Sequence, residues 1–246
     1  MRSDGMLLNS WPRPLIIAHR GASRHAPEST RAAIRAALAA RAHMIELDVQ
    51  MSRDRRLVIF HDDTVSRTTD GTGRLSEMPY RTLSRLDAGR WFHRRFAGER
   101  ILLASQALAL ITPHARVNLE LKATIHPESL IRTIIRLIRS RHAASRVLLS
   151  SFEIPLVKRL RSSGLFRAVI CSKDPRTALR QAIRLGCQAW HPSVKIVTRA
   201  HITEAHRAGL RVHVWTVDDL RTARRLMDWG VDGLFTNDPV RLRSLA

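Results

Sequence analysis

Glu46 and Asp48 stand two residues apart in the apolar run MIELDVQM. On a strand, the side-chain period of two puts both carboxylates on one face and sends Ile45, Leu47 and Val49 to the other. The polar stretch SRDRR follows, then LVIF, which ends at His61 and Asp62. A hairpin folded about residues 53–56 sets His61 roughly opposite Asp48. The same alternation recurs in NLELK, where Glu120 and Lys122 share a face, and LIIAH closes on His19 and Arg20. Three carboxylates brought together make an oxygen-rich site for a hard divalent cation such as Mg2+ or Ca2+, whereas zinc favours His or Cys. Arg20 and Lys122 add positive charge suited to a phosphate. Imidazole is the side chain fitted to acid and base work near neutral pH, and His19 and His61 supply two. Cation ligands, phosphate ligands and two imidazoles are what phosphodiester cleavage requires.

These residues meet only if the elements carrying them converge. LIIAH reads as a buried strand, and PES opens the alanine-rich helix STRAAIRAALAARA, with Ser29 as its N-cap. After the hairpin the period is lost from Asp62 to Arg100. We read residues 62–100 as an inserted excursion that caps one mouth of the domain. Asp62 fixes the turn into it, YRTLSRLDAGRWF supplies a short helix, and Trp91 and Phe92 anchor a small core of its own. Alternation then resumes, with Pro or Asp near helix starts and Gly at helix ends.

Eight strands are followed by helices: LIIAH, IELDV, VNLELK, VLLSS, AVICS, AWHP, VHVWT and GLFT. LVIFH is additional, because MSRDRR is too short for the crossover that parallel neighbours need. The count predicts a (β/α)8 TIM barrel over residues 1–246, with a small insertion after the second barrel strand and an active site at the strands' C-terminal ends. The alternative is an open doubly wound sheet, but no Gly-rich phosphate loop follows the first strand. His191 and His213 read as packing or helix-surface residues.

The net charge of +21 is the compositional outlier, and arginine supplies most of it, since Lys occurs only at positions 122, 158, 173 and 195. The basic residues are scattered over helix exteriors without a run of five, and aromatics are not interleaved with them, which argues against a nucleic-acid platform. Such a field draws anionic substrates and predicts weak electrostatic association with anionic membrane surfaces. Cys171 and Cys187 read as free thiols in buried strands. The segment MRSDGMLLNSWPRPLII has no uninterrupted apolar stretch and nothing later is long enough to span a bilayer, so the expectation is a cytoplasmic protein.

Taken together, HRGA with PES, IELDVQ with FHD, RTTDGTG, LDAGRWF, NLELK, WTVDD and GVDGLFTNDP resemble the glycerophosphodiester phosphodiesterase family. The matched segments span nearly the whole chain in order. The resemblance implies a barrel that hydrolyses glycerophosphodiesters to sn-glycerol 3-phosphate and an alcohol, using one divalent cation, Mg2+ or Ca2+. By position, Glu46, Asp48 and Glu120 would hold the metal, His19 and His61 would be the acid/base pair, and Arg20 and Lys122 would bind the phosphate. Glu28 would orient Arg20 or a glycerol hydroxyl, and Trp215 would line the substrate pocket. Two segments depart from the family pattern. PES stands where PEN is usual, and ERILLASQALAL stands where an Ile-Pro-Thr-Leu-Glu-Glu helix start is usual. The second departure makes the expected pocket rim more apolar at Leu102, Leu103 and Ala104. It admits an alternative, phospholipase D-like hydrolysis of lysophospholipids; a noncatalytic anionic-surface binder is a further one.

Overall fold

Leu15, Ile16, Ile17 and Ala18 are all fully buried, as a strand covered on both faces requires. They form β1 (Leu15–His19) in a computed structural model that describes residues 11–245. The reading of residues 1–10 as lacking an apolar leader lies outside the described residues. β2 (Met44–Met51), β3 (Leu57–Ile59), β4 (Arg116–Leu121), β5 (Val147–Ser151), β6 (Phe166–Cys171), β7 (Ala189–Pro192), β8 (Arg211–Val214) and β9 (Gly233–Thr236) follow. All except β3 are parallel to their neighbours, and β9 pairs with β1 while β1 pairs with β2, so eight strands close into a ring. The expected TIM barrel is therefore borne out. β3 lies antiparallel against the far end of β2. Its register pairs Val49 with Ile59, and the Phe60 amide donates to the Asp48 carbonyl, so Phe60 rather than His61 stands opposite Asp48.

Helices α1 (Arg31–Ala39), α2 (Tyr80–Leu83), α3 (Ala104–Ile111), α4 (Pro127–Ser140), α5 (Ile154–Arg159), α6 (Pro175–Arg184), α7 (Arg199–Arg207), α8 (Leu220–Asp228) and α9 (Pro239–Leu242) complete the chain. α4 shows why they form: Pro127 sits in its first turn and Leu130, Ile131, Ile134 and Ile138 make one buried face. Asp174 and Asp219 cap α6 and α8 through Thr177 and Thr222 amides. The α1 cap is Thr30, whose hydroxyl accepts from the Ala33 amide. Ser29 instead takes a left-handed turn at φ 63° and donates its amide to the Arg20 carbonyl.

Two apolar clusters fill the space between barrel and helices. One is built from the Ala18–Leu165 part of the chain and the other from Ile16 with the Val157–Leu242 part. Inside the barrel, Leu15, Ile17, Met44, Leu148, Phe166, Ala168, Ala189 and Phe235 pack together. Polar side chains are set among that apolar packing. His191 and His213, expected on the surface or in ordinary packing, lie within β7 and β8, fully buried, with His213 Nδ1 3.0 Å from His191 Nε2. Burial pushes His213 down to about 4 and His191 well below the usual histidine range. Gly233 makes room for the pair, since a Cβ there would stand 2.9 Å from the His213 ring.

The excursion packs Val65, Leu75, Leu83 and Ala88 against Val58 of β3, Phe60 and Ile101 in a small core separate from the barrel's. Trp91 does not anchor it: it is 41% exposed and meets Phe92 edge-on at 5.6 Å. The expected helix shrinks to the single turn α2, because the Asp87 carboxylate takes the amides of Gly89, Arg90 and Gly98 and folds the following chain back on itself. Cys171 and Cys187 are buried free thiols. Among the described residues no helix is long and apolar enough to cross a membrane.

Candidate active site

The carboxylates come from adjacent strands in register, with Asp48 beside Glu120 and His19 beside Glu46. Period-two alternation turns all of them into the barrel. Ligand oxygens of Glu46, Asp48 and Glu120 lie within 4.8 Å of one another. Burial, and then each other's charge, raises Glu46 well above the usual carboxylate range, and Asp48 is raised by burial and Glu120. Glu46 Oε1 and Asp48 Oδ2 are buried with no hydrogen-bond partner. Buried oxygens that no hydrogen bond reaches are costly, Asp48 Oδ2 having only the Arg20 ion pair at 3.4 Å, and three converging carboxylates are the donor set of a hard divalent cation. The residues present therefore fit such an ion.

Cationic groups flank this cluster. The Arg20 Nε lies 3.4 Å from Asp48 and its Nη1 donates to Glu28 at 2.9 Å. Its backbone is held left-handed at φ 57°, which aims its amide at Glu46 Oε2, 3.0 Å away. Gly21 follows because α1 comes so close that a Cβ would meet the Ala33 backbone at 2.7 Å. Lys122 Nζ lies 2.9 Å from Glu120 and 3.5 Å from Asp48.

The two histidines are held by different groups. His19 Nδ1 meets Asn237 Oδ1 at 2.8 Å. Asn237 commits its own Nδ2 to Asp218 at 2.7 Å, so its oxygen must accept and the His19 proton sits on Nδ1. Burial, then Arg20, lowers the His19 pKa. His61 Nδ1 meets Asp62 Oδ1 at 2.5 Å. Against the upward push of burial, bonds from Arg67 and His61 hold Asp62 down at about 2, so it is an ionised acceptor and His61 also carries its proton on Nδ1. Each ring then has Nε2 left for the pocket.

His19, Arg20, Glu46, His61, Glu120 and Lys122 line one side of that pocket, and Phe152, Ile170, Trp215 and Phe235 line the other, with Asn118 and His191 also in contact with it. Every sequence-predicted residue except Asp48 and Glu28 reaches the pocket lining. Asp48 stands directly behind, ion-paired with the lining Arg20 and Lys122, and Glu28 binds Arg20 and Arg67. Trp215 donates its indole N–H to the His191 carbonyl and packs edge-on to Phe152. Asp62 is more than a turn residue, since it joins His61 to Arg67. Leu102 and Ala104 are buried away from the pocket, with the Leu102 carbonyl accepting from Ile59, so the departing segment packs under the hairpin rather than forming the rim. Gln106 takes the role of the missing acid there, accepting from the Leu103 amide at 2.9 Å. Sequence reasoning missed Asn237, Asp218 and Arg67. The terminal TND, WTVDD and RTTDGTG segments were their signal.

The glycerophosphoryl diester phosphodiesterase family model matches residues 19–241. A glycerophosphodiester phosphodiesterase of Caldanaerobacter subterraneus subsp. tengcongensis is 33% identical over 238 residues, covering 95% of this chain and 98% of that protein. One from Bacillus subtilis is 31% identical, covering 96% of this chain and 87% of its own. Among solved structures, a phosphodiesterase of Oleispira antarctica in complex with the product sn-glycerol-3-phosphate superposes with a TM-score of 0.88 at 31% identity, covering 94% of this chain and 96% of that one.

Proposed function

The chain belongs to the glycerophosphoryl diester phosphodiesterase family, and from that membership we propose that it hydrolyses glycerophosphodiesters to sn-glycerol 3-phosphate and an alcohol. The observation that carries the reading is the carboxylate cluster, two of its three members buried and with oxygens that no hydrogen bond reaches, set between two cations and two imidazoles. Glu46, Asp48 and Glu120 would hold the divalent cation, Mg2+ or Ca2+. When bound, that ion supplies Lewis-acid charge to a nonbridging phosphate oxygen. Arg20 and Lys122 bind the phosphate and offset the charge that grows on it as the phosphorus becomes five-coordinate. His19, neutral and protonated on Nδ1, offers Nε2 as the base that takes a proton from the attacking hydroxyl, either the neighbouring glycerol hydroxyl or water. His61, its Nδ1 held by the Asp62 carboxylate, is assigned the other proton transfer, delivering a proton through Nε2 to the departing alkoxide. The product held by the Oleispira relative supports this substrate class.

Metal-replete protein is expected to release glycerol 3-phosphate from glycerophosphocholine. EDTA should abolish the activity, and added Mg2+ or Ca2+ should restore it. Absence of turnover on a series of head groups would sink the reading. The apolar side of the pocket, together with Ile125, 84% exposed on the loop after β4, favours lysophospholipids as a second substrate class. Release of choline from lysophosphatidylcholine at a rate matching glycerophosphocholine turnover would select it.

A further inference from the structure

The barrel strands leave His61 poorly supported. β3 ends at Ile59, and His61 lies beyond it where the ladder has stopped. Its backbone is held from within, because the buried Gln50 side chain donates to the carbonyls of Phe60, His61 and Asp62 at 3.0, 3.1 and 2.7 Å. Its ring depends on Asp62. That carboxylate is in turn held by Arg67, whose Nε and Nη2 donate to Asp62 at 2.5 and 3.1 Å. The same guanidinium donates through Nη1 and Nη2 to both oxygens of Glu28, at 3.0 and 2.7 Å. Glu28 also accepts from Arg20. An unbroken chain of charge-assisted bonds thus runs from His61 through Asp62, Arg67 and Glu28 to Arg20.

Arg67 is 47% exposed and does not line the pocket. Solvent-exposed ion pairs of this kind contribute little to stability. Two planar forks, however, fix orientation in a way that a lysine ammonium does not. Resting on the reading of His61 as a proton carrier, we propose that Arg67, contributed by the inserted excursion, is a positioning residue that acts through Asp62 to set the ring plane and tautomer of His61. The excursion then completes the acid/base apparatus that the strands begin.

The test compares Arg67→Ala and Arg67→Lys in the wild-type and His61→Ala backgrounds, on glycerophosphocholine. Arg67→Ala should lower kcat by about ten-fold or more with little change in Tm, and Arg67→Lys should recover little of it. Added guanidine at non-denaturing concentration should recover part of the Arg67→Ala rate in the wild-type background only. In His61→Ala, itself impaired, the further loss should be under about two-fold, as expected when two residues act as one unit. Wild-type kcat in Arg67→Ala, or an undiminished penalty in an impaired His61→Ala background, would overturn the positioning role alone. Normal turnover by His61→Ala would overturn the proton-carrier assignment together with it.

Discussion

Asn237 and Asp62 each accept the Nδ1 proton of a histidine, a neutral amide for His19 and a carboxylate for His61. Under the proposed assignment, that difference matches His19 to the role of base and His61 to that of acid. His191 and His213 show the opposite use of imidazole, as a neutral buried pair. With its folded pKa near 4 against an ordinary 6.5, His213 binds its proton in the unfolded chain first. Its contribution is therefore complete above about pH 6.5 and is lost progressively as pH falls towards 4, by about 3 kcal/mol. Urea midpoints across that window should fall with pH, and His213→Asn should flatten the slope. An equally steep slope in the variant would contradict this. Glu46, Asp48, Glu120 and His19 were legible because strand alternation is local. The bond from His19 to Asn237 was not, since it spans 218 positions and exists only once the barrel closes.

At the level of elements, the eight β/α units were readable from the punctuation of Pro, Asp and Gly, while the misreadings share one cause. Side chains captured backbone amides and overrode periodicity. Asp87 did so in LDAG, ending a helix that the spacing extends. In the hairpin, Ser52 Oγ accepts from the Arg56 amide and Arg55 turns left-handed at φ 59°, which moves the register by one residue from the expected facing of Asp48 and His61. The Asp87 turn also sets the tightest spacing in the excursion, where a Cβ on Gly89 would stand 1.9 Å from the Phe96 carbonyl oxygen. Gly89→Ala should accordingly destabilise the protein by about 1–3 kcal/mol, seen as a lowered Tm, whereas Gly98→Ala meets no atom within 4 Å and bears only the strain of its positive φ. Equal Tm for Gly89→Ala and the wild type would show that the turn adjusts freely.

For the whole molecule, the charge of +21 acts at longer range than any of these contacts. Binding to vesicles containing anionic phosphatidylglycerol should be measurable at low salt and should fall steeply as ionic strength rises and the Debye length shrinks. Binding that is indifferent to salt would assign it to apolar contacts such as Ile125. The ring of strands has a further consequence. Every charged group lining the pocket comes from residues 19–122 and the apolar wall from residues 152–235, while the two clusters beneath the helices overlap that division, Ile16 joining the second and Leu156, Leu160 and Leu165 the first. The charged wall and the apolar wall are thus carried on separate stretches of one gene, joined where Asn237 of the second holds His19 of the first. A lineage that recombined near the middle of the barrel would inherit its charged pocket wall from one parent and its apolar wall, with the Asn237 that holds His19, from the other.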